Sequence, residues 1–101
     1  MKLKQTITQI DVAEYDVQIE ISDGSIYAEN FTQSNAVYPA FKTLIRVLQP
    51  FKDVALHVQT NSQPLADEYN ATQQNPNAAL LNHLKMVIAR QNLDVTIEYV
   101  A

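Results

Sequence analysis

Cysteine and tryptophan are absent from this chain of 101 residues, and glycine occurs once, at Gly24. Without cysteine there is neither a disulfide framework nor thiolate chemistry, and a reducing compartment is implied, so a cytoplasmic location is expected. A single glycine leaves no glycine-rich loop to cradle phosphate, and no serine has the flanking glycines of a nucleophile elbow. No apolar run approaches the length of a membrane span. Lys2 and Lys4 are not followed by the apolar stretch of a signal peptide. Positive charge is scarce as well: seven Lys and Arg stand against eleven Asp and Glu, a net charge of −4. Affinity for polyphosphate comes largely from Lys and Arg displacing counterions, so this balance ranks nucleic acid low among partners.

What the chain does contain is ordinary for a globular protein, 47% hydrophobic and 18% charged, enough for one packed core in one domain over residues 1–101. The sharpest local signal is Asp23-Gly24, a dipeptide favoured in two-residue type I′ turns. Val17, Ile19 and Ile21 alternate with polar residues before it, a half-buried strand. A two-residue loop there sets Ile21 opposite Ile26, Glu20 opposite Tyr27 and Ile19 opposite Ala28. Residues 3–12 read as an earlier strand with a bulge near Thr8-Gln9, because Leu3 and Ile7 are out of phase with Ile10 and Val12.

A helix follows, with Val37, Phe41, Leu44, Ile45 and Leu48 as its apolar stripe, Ser34 or Asn35 as cap and Pro50 as its end. Residues 54–59 (Val-Ala-Leu-His-Val-Gln) carry apolar groups on both faces, the pattern of a covered central strand. A short helical stretch runs to Tyr69, and a polar loop spans residues 70–77. Asn75-Pro76 reads as the start of a last helix with Leu80, Leu84, Val87 and Ile88 inward and Asn92 as its C-cap. Residues 95–100 make the last strand. The expected fold class is α/β, bordering on α+β, in the order βββαβαβ with two long helices.

The charges are unevenly placed. Asp11, Glu14, Asp16, Glu20, Asp23 and Glu29 fall in the first third, whereas Lys42, Arg46, Lys52, Lys85 and Arg90 lie in or beside the helices. Asp16, Gln18 and Glu20 alternate with the apolar set, so they form a solvated face rather than a metal site. Tyr15, Tyr27 and Phe31 lie near it, either as a binding surface or as the border of the core.

The element order and several local sequences resemble the ribonuclease H-like superfamily. Ser34-Asn35-Ala36-Val37-Tyr38 resembles the family's Thr-Asn-x-Ala-Glu-Tyr entry to its first helix. His57-Val58-Gln59-Thr60-Asn61-Ser62-Gln63 resembles its fourth strand running into Thr-Asp-Ser-Gln, and residues 77–100 resemble its last helix and strand. The resemblance rests on residues 34–101 and implies a mixed five-stranded sheet in the order 3-2-1-4-5. It also implies a two-metal phosphodiester cleavage site built from carboxylates, since two metals about 4 Å apart must clamp the attacking and leaving oxygens. Here the family's helix glutamate falls on Val37 and its strand-four aspartate on Asn61. Asp11 is the remaining acid near the first strand, and the last acid has no counterpart before Ala101. Asp23-Gly24-Ser25 mimics the family's first aspartate motif but sits about ten residues before the helix, where a turn explains it.

The expectation is therefore a non-catalytic ribonuclease H-like binding or adaptor module with no metal and no cofactor. A protein partner or self-association is ranked above nucleic acid. The alternatives are a small-ligand-binding protein or enzyme with a pocket near His57, Asn61 and Ser62, and a non-cleaving nucleic-acid binder using Lys42, Arg46 and Lys52. His57 alone, or with His83, makes no metal site.

Overall fold

The structure, a computed structural model, describes residues 1–71 and 78–101. Its strands are β1 (Lys2–Asp11), β2 (Glu14–Ile21), β3 (Ile26–Thr32), β4 (Ala55–Thr60) and β5 (Asp94–Tyr99), and its helices are α1 (Val37–Leu48), α2 (Gln63–Asn70) and α3 (Ala78–Arg90). The five strands form one sheet in the order β3-β2-β1-β4-β5. β1 is central, antiparallel to β2 and parallel to β4, and β4 is parallel to β5. This is the order the resemblance implies, and the chain has the ribonuclease H-like topology.

Leu3, Ile19, Leu56, Val58, Val95 and Ile97 point from the sheet into one core, which Phe41, Leu44, Leu48, Leu65, Leu84 and Val87 of the helices close. Burial of this apolar surface is the main favourable contribution to folding, about 25 cal/mol per Å² removed from water. The opposite face of the sheet is open. Lys4, Thr6, Asp16, Gln18, Glu20, Thr96 and Glu98 are exposed on it. The expectation of a strand covered on both faces is thus corrected for β4. Leu56, Val58 and Thr60 are buried beneath the helices, whereas His57 and Gln59 are half-buried on the open side.

The hairpin register also differs from the expected one. Ile21 N–H donates to Ser25 O at 2.9 Å and Gly24 N–H donates to Ile21 O at 2.9 Å, closing a three-residue loop, Ser22-Asp23-Gly24. Only Gly24 needs the left-handed region, at φ +97°. This is a type I turn ending in a glycine bulge rather than a type I′ turn. Asp23 Oδ1 accepts from Ser25 N–H at 2.8 Å and fixes the bend. Ile19 therefore faces Tyr27, and Glu20 faces Ile26. One residue of slip turns every side chain of β3 to the other face. Tyr27, Glu29 and Phe31 point toward the helices, and Ile26 is left exposed.

The β1 irregularity falls between Gln9 and Asp11. Asn35 Oδ1 accepts from Val37 N–H at 2.9 Å at the entrance of α1. Asn92, at φ 53°, ends α3. Leu93 N–H reaches Ile88 O at 2.9 Å and Asn92 N–H reaches Ala89 O at 3.2 Å, the paired contacts of a Schellman cap. The helix start assigned to Asn75-Pro76 lies outside the described residues.

Candidate functional site

The C-terminal half of β1 and the end of β4 meet the starts of α1 and α2 at one edge of the core. In open α/β sheets, the crevice at the carboxyl ends of parallel strands is the usual place for a site. Here a cavity of about 350 Å³ opens between Ile7, Gln9, Tyr15, Val37, Asn61 and Gln63, among others.

Asn61 is the keystone of its floor. Its side-chain Oδ1 accepts from Ile7 N–H at 2.8 Å, and its Nδ2 donates to Ile7 O at 3.0 Å. The carboxamide presents one donor and one acceptor side by side, as a peptide group does, so it continues the β1–β4 ladder beyond Thr60. Ser62 caps α2, its Oγ accepting from Leu65 N–H at 3.3 Å, and Pro64 sits in the first helical turn. Both residues singled out here in the sequence are thus occupied in holding the local backbone.

Behind them is a buried polar network that the sequence reading missed. Gln5 is 1% exposed. Its Nε2 donates to Ala40 O and to Thr43 Oγ1, each at 2.9 Å, and its Oε1 accepts from Thr60 Oγ1 at 2.5 Å. Thr43 passes its own proton to Pro39 O at 2.8 Å, and Thr60 Oγ1 accepts from Ser62 N–H at 3.0 Å. The network ties β1, β4, α1 and the entry to α2 together. The signal for it was present: Gln5 lies in phase with Leu3 and Ile7 and so must face the core.

His57 is not part of this site. Its ring lies on the open face, with Nε2 3.0 Å from Glu98 Oε1 and Nδ1 2.7 Å from Thr96 Oγ1. A carboxylate only accepts, so Nε2 carries a proton, and in the neutral ring Nδ1 accepts from the threonine hydroxyl. Gln59 also donates to Glu98, and hydrogen bonds from Gln59 and then His57 hold the Glu98 carboxyl below its ordinary value. Thr96 and Glu98 are cross-strand neighbours of His57 and Gln59, so the group is a polar ladder across β4 and β5. His57 borders a separate hollow of about 250 Å³ with Met1, Lys2 and Thr96. The pocket expected near both His57 and Asn61 is therefore two distinct depressions.

Arg46 of α1 is engaged as well. Its guanidinium pairs with the Glu29 carboxylate, to which the Tyr27 hydroxyl also donates. Both contacts exist because the hairpin register turns Tyr27 and Glu29 toward the helices. Burial raises the Glu29 pKa, but hydrogen bonds from Arg46 and then Tyr27, with the charges of Arg46 and Lys42, outweigh it and hold the carboxyl below its ordinary value. A carboxyl depressed in the folded state contributes stability that is complete above its unfolded pKa and is lost as pH falls through the folded one. Glu29→Gln should therefore lose less stability than wild type between neutral pH and about pH 3. Urea midpoints at the two pH values check this, and equal losses would refute it.

Among the described residues no group of three or more His, Cys, Asp or Glu side chains is placed to hold a metal ion. Asp11 caps the β1–β2 turn, its Oδ1 accepting from Val12 N–H at 2.7 Å. Val37 and Asn61, where the resemblance places two acids, line the cavity without charge.

No protein-family model and no curated protein matches the sequence. Solved structures do match the fold. LC11 ribonuclease H1, in complex with an RNA/DNA hybrid, superposes with a TM-score of 0.73 at 10% identity, over 98% of this chain and 83% of that one. Ribonuclease H1 from the halophilic archaeon Halobacterium salinarum NRC-1 gives a TM-score of 0.64 at 12% identity, over 99% of this chain and 86% of that one. The chain has the ribonuclease H-like fold. The ranking of a protein partner or self-association above nucleic acid is corrected by these matches, since a structure sharing the fold is held on a nucleic-acid hybrid. Net charge was the ground of that ranking, and it averages the whole surface, whereas the residues lining the cavity include no acid.

Proposed function

We propose that this chain is a non-catalytic ribonuclease H-like domain that binds nucleic acid without cleaving it. The observation that carries the reading is the cavity at the carboxyl ends of β1 and β4, where Val37 and Asn61 stand at positions the resemblance assigns to metal-binding acids. Phosphodiester cleavage by two metals needs carboxylates to fix both ions. An uncharged cavity supplies no such ligands, yet it also lacks the negative charge that would repel a polyanion. The fold shared with an RNA/DNA-bound ribonuclease H1 supports the choice of ligand class.

Fluorescence anisotropy with labelled single-stranded RNA and an RNA/DNA hybrid, at low salt, tests this. The expected result is saturable binding that weakens as salt is added, with every strand intact on a denaturing gel after incubation with Mg²⁺. Absence of binding at low salt, or Mg²⁺-dependent cleavage, overturns the reading.

A further inference from the structure

We propose that the cavity between β1, α1 and α2 takes a single unstacked nucleobase, so that the domain prefers single strands to duplexes. This rests on the nucleic-acid reading above and adds which part of the ligand the site holds. None of the residues lining the cavity carries a formal charge. A phosphate group there would have neither a cation nor a metal ion to meet. A base would fare better, because it has flat apolar faces and an edge of alternating donors and acceptors.

The lining matches both features. Ile7, Val37, Pro64 and the ring of Tyr15 supply apolar wall, and Gln9 and Gln63 supply carboxamides. Gln63 donates one N–H to Asp67 at 3.2 Å, which leaves its oxygen and second N–H available. Gln9 is exposed on the same edge of β1 as Ile7, and its carboxamide makes no hydrogen bond to a described residue. A glutamine carboxamide offers a donor and an acceptor at the spacing of a base edge. Asn61 is less suited to this role, since its orientation is fixed by Ile7, which takes one N–H and one lone pair of its carboxamide. A volume of about 350 Å³ sits at the small end of ligand cavities and suits one ring system rather than a base pair.

Anisotropy titrations with three labelled ligands separate this proposal from the reading beneath it: a single-stranded oligoribonucleotide, the same strand with abasic sites, and its RNA/DNA hybrid. The intact single strand should bind roughly tenfold tighter than either of the others, the contribution of one base against an aromatic or apolar wall. Its affinity should be the same in Mg²⁺ and in EDTA. The double variant Gln9→Ala, Gln63→Ala alters two exposed side chains, so its fold can be checked by circular dichroism, and it should bind the intact strand no better than the abasic one. Equal binding of intact and abasic strands, or a double variant that binds like wild type, overturns the base pocket and leaves nucleic-acid binding standing. No binding of any of the three overturns both.

Discussion

Phe41→Ala should destabilise the domain by about 3–5 kcal/mol, the range for emptying a fully buried aromatic position. Phe41 is wholly buried and lies in the apolar stripe of α1 that packs on the sheet. Small domains have about 5–15 kcal/mol in total, so the variant stands near the edge of folding. Removal of the ring leaves a cavity within the single apolar core, whose side chains collapse only partly into the gap. The check is a urea titration. The midpoint should fall sharply while the slope stays the same, because the surface exposed on unfolding hardly changes. Phe41→Leu keeps most of the volume and should lose about 1–2 kcal/mol. A Phe41→Ala protein with a wild-type midpoint would show that α1 is not clamped to the sheet as described.

Gln5→Leu should be the second most damaging change, at about 2–4 kcal/mol, although it makes the core more apolar. Every polar atom of the Gln5 carboxamide is used, on Ala40, Thr43 and Thr60. Leucine fills the space but leaves the Thr60 hydroxyl proton without an acceptor in a site closed to water, and it takes from Thr43 Oγ1 the donor it now accepts from. A polar group stranded in this way costs more than the hydrogen bond itself contributed. This account makes a sharper claim. The double variant Gln5→Leu, Thr43→Val should lose less stability than the sum of the two single variants, because both remove the same contact, whereas Thr60 must stay because its Oγ1 also receives Ser62 N–H. Thermal melts of the three variants settle the matter, and strict additivity of the two substitutions would argue against a coupled network. Because Thr60 also receives Ser62 N–H, Gln5→Leu should further raise amide exchange at the entry to α2.

Much of the fold was legible because the pattern that fixes it is local. The stripe of α1, the alternation of β2 and the Asn92 cap each follow from neighbouring residues, and the strand order followed from the resemblance. What was not legible depended on a choice between two close geometries. Asp-Gly serves both a two-residue and a three-residue hairpin loop, and the alternation of Val17, Ile19 and Ile21 is satisfied by either. The β3 sequence decides in space: the longer loop buries Phe31 and sets Glu29 under Arg46, whereas the shorter one would bury Ile26 and Ala28. An ion pair between residues 17 positions apart leaves no trace in a local pattern.

The candidate site was half legible. Asn61 and Ser62 were singled out correctly as lying at the end of a parallel strand. Their roles were not, because whether a carboxamide faces a ligand or a backbone depends on the strand beside it. His57 was grouped with them by sequence distance alone. A strand rises about 3.3 Å per residue, so the four steps from His57 to Asn61 span roughly 13 Å. That separation is enough to put one on the open sheet and the other at its edge.

The pairing of Asn61 with Ile7 has a bearing on how the protein ages. An aspartate at this position, whether by a single base change or by slow loss of the amide nitrogen, would set a second acceptor against the Ile7 carbonyl. The strand edge would then repel where it now attracts. An acid at residue 61 would thus disturb the β1–β4 seam, and an old sample of the protein should loosen first at that seam.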